Sequence, residues 1–291
     1  MARRRPPTVH GVVIVDKPAG VTSHDVVGQL RRRFSERRIG HAGTLDPDAT
    51  GVLVVAVGSA TRLLRYVGDT TKAYTGQVVL GVETDTLDAA GRVTVTHDMA
   101  PVDLDEVRRV IAERFTGPIL QIPPMVSAIR VDGRRLHELA REGIEIEREP
   151  RPVIIHGFEA SQSAEPGVLD IDVRCSSGTY IRSLAADLGV ALGGGAHLRN
   201  LRRTAVGSFD LAEAAPPDTA ALLPVHTAVR DLEQVGVDEA TAGLVAHGRI
   251  LDRWSGTGPW AVSDAEGELI AVYEALDDRS AKPAVVLSAA R

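Results

Sequence analysis

The strand-like and helix-like stretches of this 291-residue chain do not take turns. Helical spacing runs over 22–34, with Thr22 or Ser23 as N-cap and Val26, Val27, Leu30 and Phe34 on one face. It returns over 103–115 through Leu104, Val107, Val110 and Ile111, and over 180–188 through Ile181, Leu184, Ala185 and Leu188. The extended stretches between them come in unequal numbers, at 12–15, 52–57, 72–81, 92–96, 153–158 and 169–175. A doubly wound parallel sheet needs strict alternation, so this order indicates α+β, with a mixed or antiparallel sheet flanked by helices. Short helices are expected at 60–66 and 134–141, a proline-broken extended segment at 121–129, and a glycine break at 193–195 before the stretch 197–203.

Past Asp210 the character changes. The turn-rich run 214–218 precedes one helix, 238–247, and short strands at 260–262, 269–274 and 284–287. The expected division is a domain over 1–212 and a small, mostly β module over 230–291.

Composition narrows the classes further. Aromatics make up 3% of the chain, so Val, Leu, Ile and Ala must fill the core, and an aromatic inside a polar motif carries more weight than usual. The single cysteine, Cys175, excludes an intramolecular disulfide and a Cys-rich zinc site, and fits a reducing cytoplasm. The apolar run 12–15 stops at Asp16 and Lys17, too short for a secretory or membrane-spanning segment. Net charge is -6, yet arginines crowd at 3–5, 31–33 and 37–38, and again at Arg199, Arg202 and Arg203. A basic face on an acidic body suits a nucleic-acid partner. Each cluster alone reads more readily as solvated surface.

The segment 40–51 has three glycines, one proline and no hydrophobic period. Such a loop between a basic helix end and a buried strand is where a site is built. Asp46 precedes Pro47, which biases it to extended backbone and stiffens it. A carboxylate held so can act as nucleophile, base or metal ligand, or simply cap a local turn. Asp48 competes for the same role, and spacing does not separate the two. The loop lacks the Lys-Ser/Thr of a phosphate loop, and His41, Asp46 and Asp48 have no further ligand nearby to complete a metal set.

At Gly40-His41-x-Gly43-x-Leu45-Asp46-Pro47-x-Ala49-Thr50-Gly51 the chain resembles the TruB family, the bacterial tRNA pseudouridine-55 synthases. The resemblance continues, in family order, through Val15-Asp16-Lys17-Pro18-x-Gly20-x-Thr22-Ser23, Lys72-Ala73-Tyr74 and Gln121-x-Pro123-Pro124-Met125-x-Ser127-Ala128. It then runs through Gly178-Thr179-Tyr180-Ile181-Arg182 and Gly195-Ala196-His197-Leu198-x-x-Leu201-Arg202-Arg203. The tail is similar, at fewer points, to a PUA-type RNA-binding module. Ala73 departs from the family's commoner arginine, which removes one phosphate contact and leaves Tyr74 in place.

The resemblance implies a pseudouridine-synthase fold and isomerisation of uridine 55 in the T loop of tRNA, with base flipping and no cofactor or metal. It implies Asp46 as catalytic carboxylate, Arg182 as its cationic partner and Tyr74 stacked on the flipped uracil. Tyr180 and Leu201 would line the pocket, His41 would contact the displaced nucleotide region, and Lys17 would orient the N-terminal loop or touch phosphate. It further implies a cytoplasmic monomer acting on the T arm without guide RNA or membrane. Three readings compete: a tRNA-binding or RNA-folding protein, a hydrolase using Asp46 and Asp48 as a carboxylate pair, and a guide-RNA-dependent synthase.

Overall fold

The computed structural model describes residues 6–127, 130–131, 134–136, 139, 142–144 and 146–287. The chain divides into two compact units, one of Met1–Pro47, Gly51–Asp69 and Val206–Arg291, the other of Asp48–Thr50 and Thr70–Ala205.

In the first unit the strand Gly11–Lys17 runs antiparallel to Thr50–Val57, in register from Gly11 opposite Val57 to Lys17 opposite Gly51. Both sequences are continuous apolar runs because both faces are covered. Val12, Ile14, Val52, Val54 and Ala56 point to one side, where Val206, Phe209, Ala228 and Val229 meet them. Val13, Val15, Leu53 and Val55 point to the other, where the helix Ser23–Phe34 lays down Val26, Val27 and Leu30. Each such side chain, fully buried, stabilises the fold by roughly 1.5–3 kcal/mol.

The start of that helix is set by Thr22, whose hydroxyl accepts from Asp25 N–H while the Asp25 carboxylate accepts from Thr22 N–H. The Thr22 hydroxyl also donates to the Asp25 carboxylate at 2.6 Å, and with the Thr22 N–H it holds the Asp25 carboxyl below its ordinary range. Arg31, Arg32 and Arg33 complement the dipole in the last turn, and Ser35 closes it in the left-handed conformation.

The tail is the expected small β fold. Its five-stranded sheet has the order Glu233–Gly236, Trp260–Ser263, Leu269–Ala275, Ser280–Val286, Leu251–Asp252, with the helix Glu239–Ala246 against it. One side forms a core of Val245, Trp260, Val262, Ala271 and Tyr273. Ala261, Leu269, Val272 and Val285 instead join the core shared with Val12 and Val54.

The second unit is built on the strand order Ala196–Val206, Lys72–Leu80, Val168–Cys175, Arg151–Gln162, Gly117–Gln121. Lys72–Leu80, Val168–Cys175, Arg151–Gln162 and Gly117–Gln121 pair antiparallel in succession. Lys72, Tyr74, Gly76 and Val78 are buried on one face of their strand, and alternate residues are half-exposed. The helices Leu104–Arg114 and Ile181–Ala191 pack against each other, and the former lies on Arg151–Gln162.

Three expectations change. Ile39–Ala42 is a strand paired with Thr50–Val57, so the polar loop starts at Gly43; Gly40 and His41 lie opposite Ala56 and Val55. The segment 60–66 spans a 3-10 turn, Gly58–Leu63, and a short α-helix, Leu64–Gly68. Of the helix expected at 134–141, half the residues lie outside those described; Leu136 and Leu139 are helical, while Arg134–Arg135 pairs as a short strand with Arg130–Val131.

Candidate active site

Asp46 sits between two fixed points of the first unit. On one side Leu45 is 4% exposed. Its N–H donates to Ser23 Oγ at 2.9 Å, and Ser23 Oγ donates back to Leu45 O at 3.2 Å. On the other side the Pro47 carbonyl accepts from Lys17 Nζ at 2.8 Å and from Gly20 N–H at 3.0 Å. Gly43 takes φ +75°, a conformation that glycine adopts without steric cost. With both neighbours pinned, the half-buried Asp46 carboxylate has little backbone freedom left. A positioned acid of this kind avoids the ordering cost that a mobile one incurs at reaction.

Lys17 is the centre of this arrangement. It is 0% exposed, and its ammonium also donates to Pro18 O at 2.9 Å and Val21 O at 2.6 Å. These bonds tie the Lys17 ammonium to backbone on both sides of the N-terminal loop and to the residue after Asp46.

Arg182 belongs to the second unit and is 5% exposed. Its Nη1 donates to Thr86 O at 2.9 Å and its Nη2 to Val126 O at 2.8 Å, while Nε lies 3.6 Å from Asp88 Oδ2. The planar fork thus engages several acceptors at once. The turn that supplies Thr86 and Asp88 is itself tied down. Thr84 Oγ1 donates to Asp88 O at 2.7 Å and Thr86 Oγ1 to Asp88 Oδ1 at 2.6 Å. Leu87 between them holds φ +62°, rare for a bulky residue. Its N–H and carbonyl are engaged by Thr84 O and Leu198 N–H.

Tyr74 is 7% exposed on the strand opposite Val173, two positions from the pair Lys72 and Cys175. The Val168–Cys175 strand leads through a turn into Tyr180 and Arg182, so these residues start from the Lys72 end of the sheet. A Cβ built on Gly76 would lie 3.6 Å from Leu201 Cα, which puts the Leu201 strand close to the Tyr74 face. Tyr180 and Leu201 are half-buried. His41, also half-buried, is carried by the Ile39–Ala42 strand.

Burial pushes the Cys175 thiol up, only partly offset by a hydrogen bond with Thr179 and the charge of Lys72, so Cys175 is no thiolate nucleophile. Arg203 is 1% exposed, which removes it from the phosphate-facing cluster expected there. Arg31, Arg32, Arg37 and Arg38 are exposed. Among the described residues no group of three or more His, Cys, Asp or Glu could hold a metal ion, and no helix is long and apolar enough to cross a membrane.

Sequence reading missed the holding contacts of Ser23 in the first unit, and of Asp88 and Gln121 in the second. Asp88 reads as a plain turn residue before Gly91, and no spacing rule links it to an arginine so far along the chain.

Three family models match successive parts of the chain. They are described as TruB family pseudouridylate synthase (N terminal domain) over residues 31–181, tRNA pseudouridylate synthase B C-terminal domain over 182–229, and tRNA Pseudouridine synthase II, C terminal, over 232–288. Relatives named tRNA pseudouridine synthase B include those of Dehalococcoides mccartyi, 42% identical over 95% of this chain and 96% of its own, and Corynebacterium efficiens, 46% identical over 91% and 92%. The relative from Mycobacterium ulcerans is 44% identical over 95% and 94%. Among solved structures, a Cbf5-Nop10-Gar1 complex aligns with a TM-score of 0.73 at 25% identity, covering 96% of this chain and 85% of that one.

Proposed function

The chain belongs to the TruB family of pseudouridylate synthases, and from that premise we propose that it isomerises uridine 55 in the T loop of tRNA to pseudouridine, using the Asp46 carboxylate and no cofactor. The observation that carries this reading is the pinning of both backbone neighbours of Asp46, by Ser23 on Leu45 and by Lys17 and Gly20 on Pro47.

The reaction breaks the N1–C1′ bond of uridine, turns the freed uracil and joins C5 to C1′. The proton leaving C5 is balanced by one gained at N1, so no electrons are exchanged. What the protein must supply is a carboxylate near C6 or C1′, a route for protons and a dry pocket that keeps the base. Asp46 takes the first task. To stay ionised when the RNA covers it, it needs a nearby cation, and Arg182 is assigned that part. Tyr74 stacks on the flipped uracil, Tyr180 and Leu201 line the pocket, His41 contacts the displaced nucleotide region, and Lys17 holds the loop.

Extruding a stacked nucleotide costs roughly a few kcal/mol. Stacking on one aromatic returns about 1–3 kcal/mol, so phosphate contacts must supply the remainder. The exposed Arg31, Arg32, Arg37 and Arg38 suit that role, and affinity should fall with added salt. The catalytic domain is assigned to 1–212 and RNA contact also to the PUA-like module at 230–291. The protein works as a cytoplasmic monomer on the T arm, without guide RNA.

The test is site-mapping of pseudouridine in an unmodified T-arm transcript, incubated with the purified protein and no guide RNA. Wild type should convert the T-loop uridine, and Asp46→Asn should bind the RNA yet convert none. Isomerisation retained by Asp46→Asn refutes the assignment of the carboxylate. Release of free uracil favours the hydrolase.

A further inference from the structure

We propose that Gln121 is a positioning residue for the isomerisation: its side-chain amide fixes the backbone of Tyr180 and, through it, the Arg182 guanidinium. The inference rests on the reading of Arg182 as partner of the catalytic carboxylate.

Gln121 ends the edge strand Gly117–Gln121 and is 2% exposed. Its Nε2 donates to Tyr180 O at 3.0 Å, and its Oε1 accepts from Tyr180 N–H at 2.7 Å. Only one orientation of the amide satisfies both bonds. Tyr180 is the N-cap of the helix Ile181–Ala191, and its own side chain makes no cap bond. A helix start leaves several N–H groups without intrahelical partners, so its first turn depends on outside groups for definition. Here Gln121 Oε1 serves one such N–H, that of Tyr180, and the same short segment holds side chains of the first turn. Beyond the two bonds of Gln121, the Ile122 carbonyl accepts from Ser183 Oγ at 3.0 Å and the Val126 carbonyl from Arg182 Nη2 at 2.8 Å.

Arg182 is therefore held from two sides, by the Thr86–Asp88 turn at its head and by the 121–126 segment at its base and head. Thr86 and Asp88 fix where the guanidinium ends. Gln121 fixes where the backbone that carries it begins. Because the amide is buried, water is poorly placed to replace either bond, and a loss there is transmitted to the first helical turn.

The test uses two substitutions. Gln121→Met removes both bonds while keeping length and bulk, and Gln121→Glu keeps an acceptor for Tyr180 N–H but sets oxygen against the Tyr180 carbonyl. Single-turnover pseudouridine formation and the Kd for an unmodified T-arm transcript are measured for both, alongside Arg182→Lys. In Gln121→Met the rate should fall by about 10- to 100-fold, the size of effect expected of a displacement near 1 Å, with Kd close to wild type. The Arg182 Nε–H resonance, identified by its loss in Arg182→Lys, should shift or exchange faster in Gln121→Met. Wild-type rates in both Gln121 variants, beside an impaired Arg182→Lys, overturn the inference alone. A wild-type rate in Arg182→Lys overturns the reading beneath it. Parallel loss of rate and affinity, or failure of both Gln121 variants to fold, makes Gln121 a residue of folding and overturns the positioning role.

Discussion

Replacing Arg182 with lysine keeps the charge and changes only the shape of the donor, so it isolates what the guanidinium fork does. Arginine reaches Thr86 O at 2.9 Å and Val126 O at 2.8 Å with different nitrogens, and stands 3.6 Å from Asp88 with a third. A single ammonium cannot cover all three positions. If it follows Asp88 and one carbonyl, one charge-assisted bond is lost and one buried acceptor is left unpaired. A hydrogen bond to a charged group contributes about 1.5–3 kcal/mol, and an orphaned buried acceptor costs about 1–3 kcal/mol. These are two views of the same loss, so the expected destabilisation is about 1.5–3 kcal/mol. For a domain of this size each kcal/mol moves Tm by roughly 2–4 °C, giving a fall of about 3–12 °C. Differential scanning calorimetry measures the fall, and single-turnover kinetics on a T-arm transcript should show a loss of about 100-fold or more. A variant that melts within about 2 °C of wild type, less than 1 kcal/mol on that scale, would show that the carbonyl contacts do not hold Arg182, and the argument from burial would be wrong.

Lys17→Met should destabilise the first unit by about 3–5 kcal/mol, since three carbonyl acceptors lose a buried charged donor; urea unfolding reads this, and an unchanged midpoint refutes it. Asp88→Asn preserves the shape of the turn and removes its charge from Arg182, so isomerisation should slow by about tenfold, the equivalent of about 1.4 kcal/mol, while RNA affinity holds; equal losses in both would place Asp88 in RNA binding instead. Burial and the neighbouring Glu159 raise the Asp172 carboxyl above its ordinary range. The folded state therefore holds this proton more tightly than the unfolded one, and ionisation weakens the fold as pH rises through the carboxylate range. Asp172→Asn should accordingly raise Tm at neutral pH, with the gain vanishing below the unfolded carboxylate pKa; a gain that persists in acid would exclude this cause.

Much of the fold is legible where local rules and burial agree. The helix Ser23–Phe34 begins at Thr22 because a capping box and an apolar face coincide there, and the continuous apolar runs of 12–15 and 52–57 become strands buried on both faces. His41 was misplaced into a loop because its strand partners, Ala42 with Val54 and His41 with Val55, are set by pairing and not by any alternation in four residues. The tail read correctly as a small β fold, but nothing in its pattern said that Ala261, Leu269, Val272 and Val285 would serve the core of residues far earlier in the chain.

The candidate site divides the same way. Residue types, their order and the stiff Asp46-Pro47 step are properties of the chain itself; they place the protein in its family, and the family resemblance puts forward Asp46, Tyr74 and Arg182 as its site candidates. Which groups hold those residues was decided only in three dimensions. Lys17 became a buried knot on Pro47, Gln121 a bracket on Tyr180, and Asp88 a neighbour of Arg182 across an interval of sequence that no periodicity spans. The physical reason is that a hydrogen bond between distant segments depends on where folding brings them, and buried donors and acceptors accept whatever partner the completed packing provides.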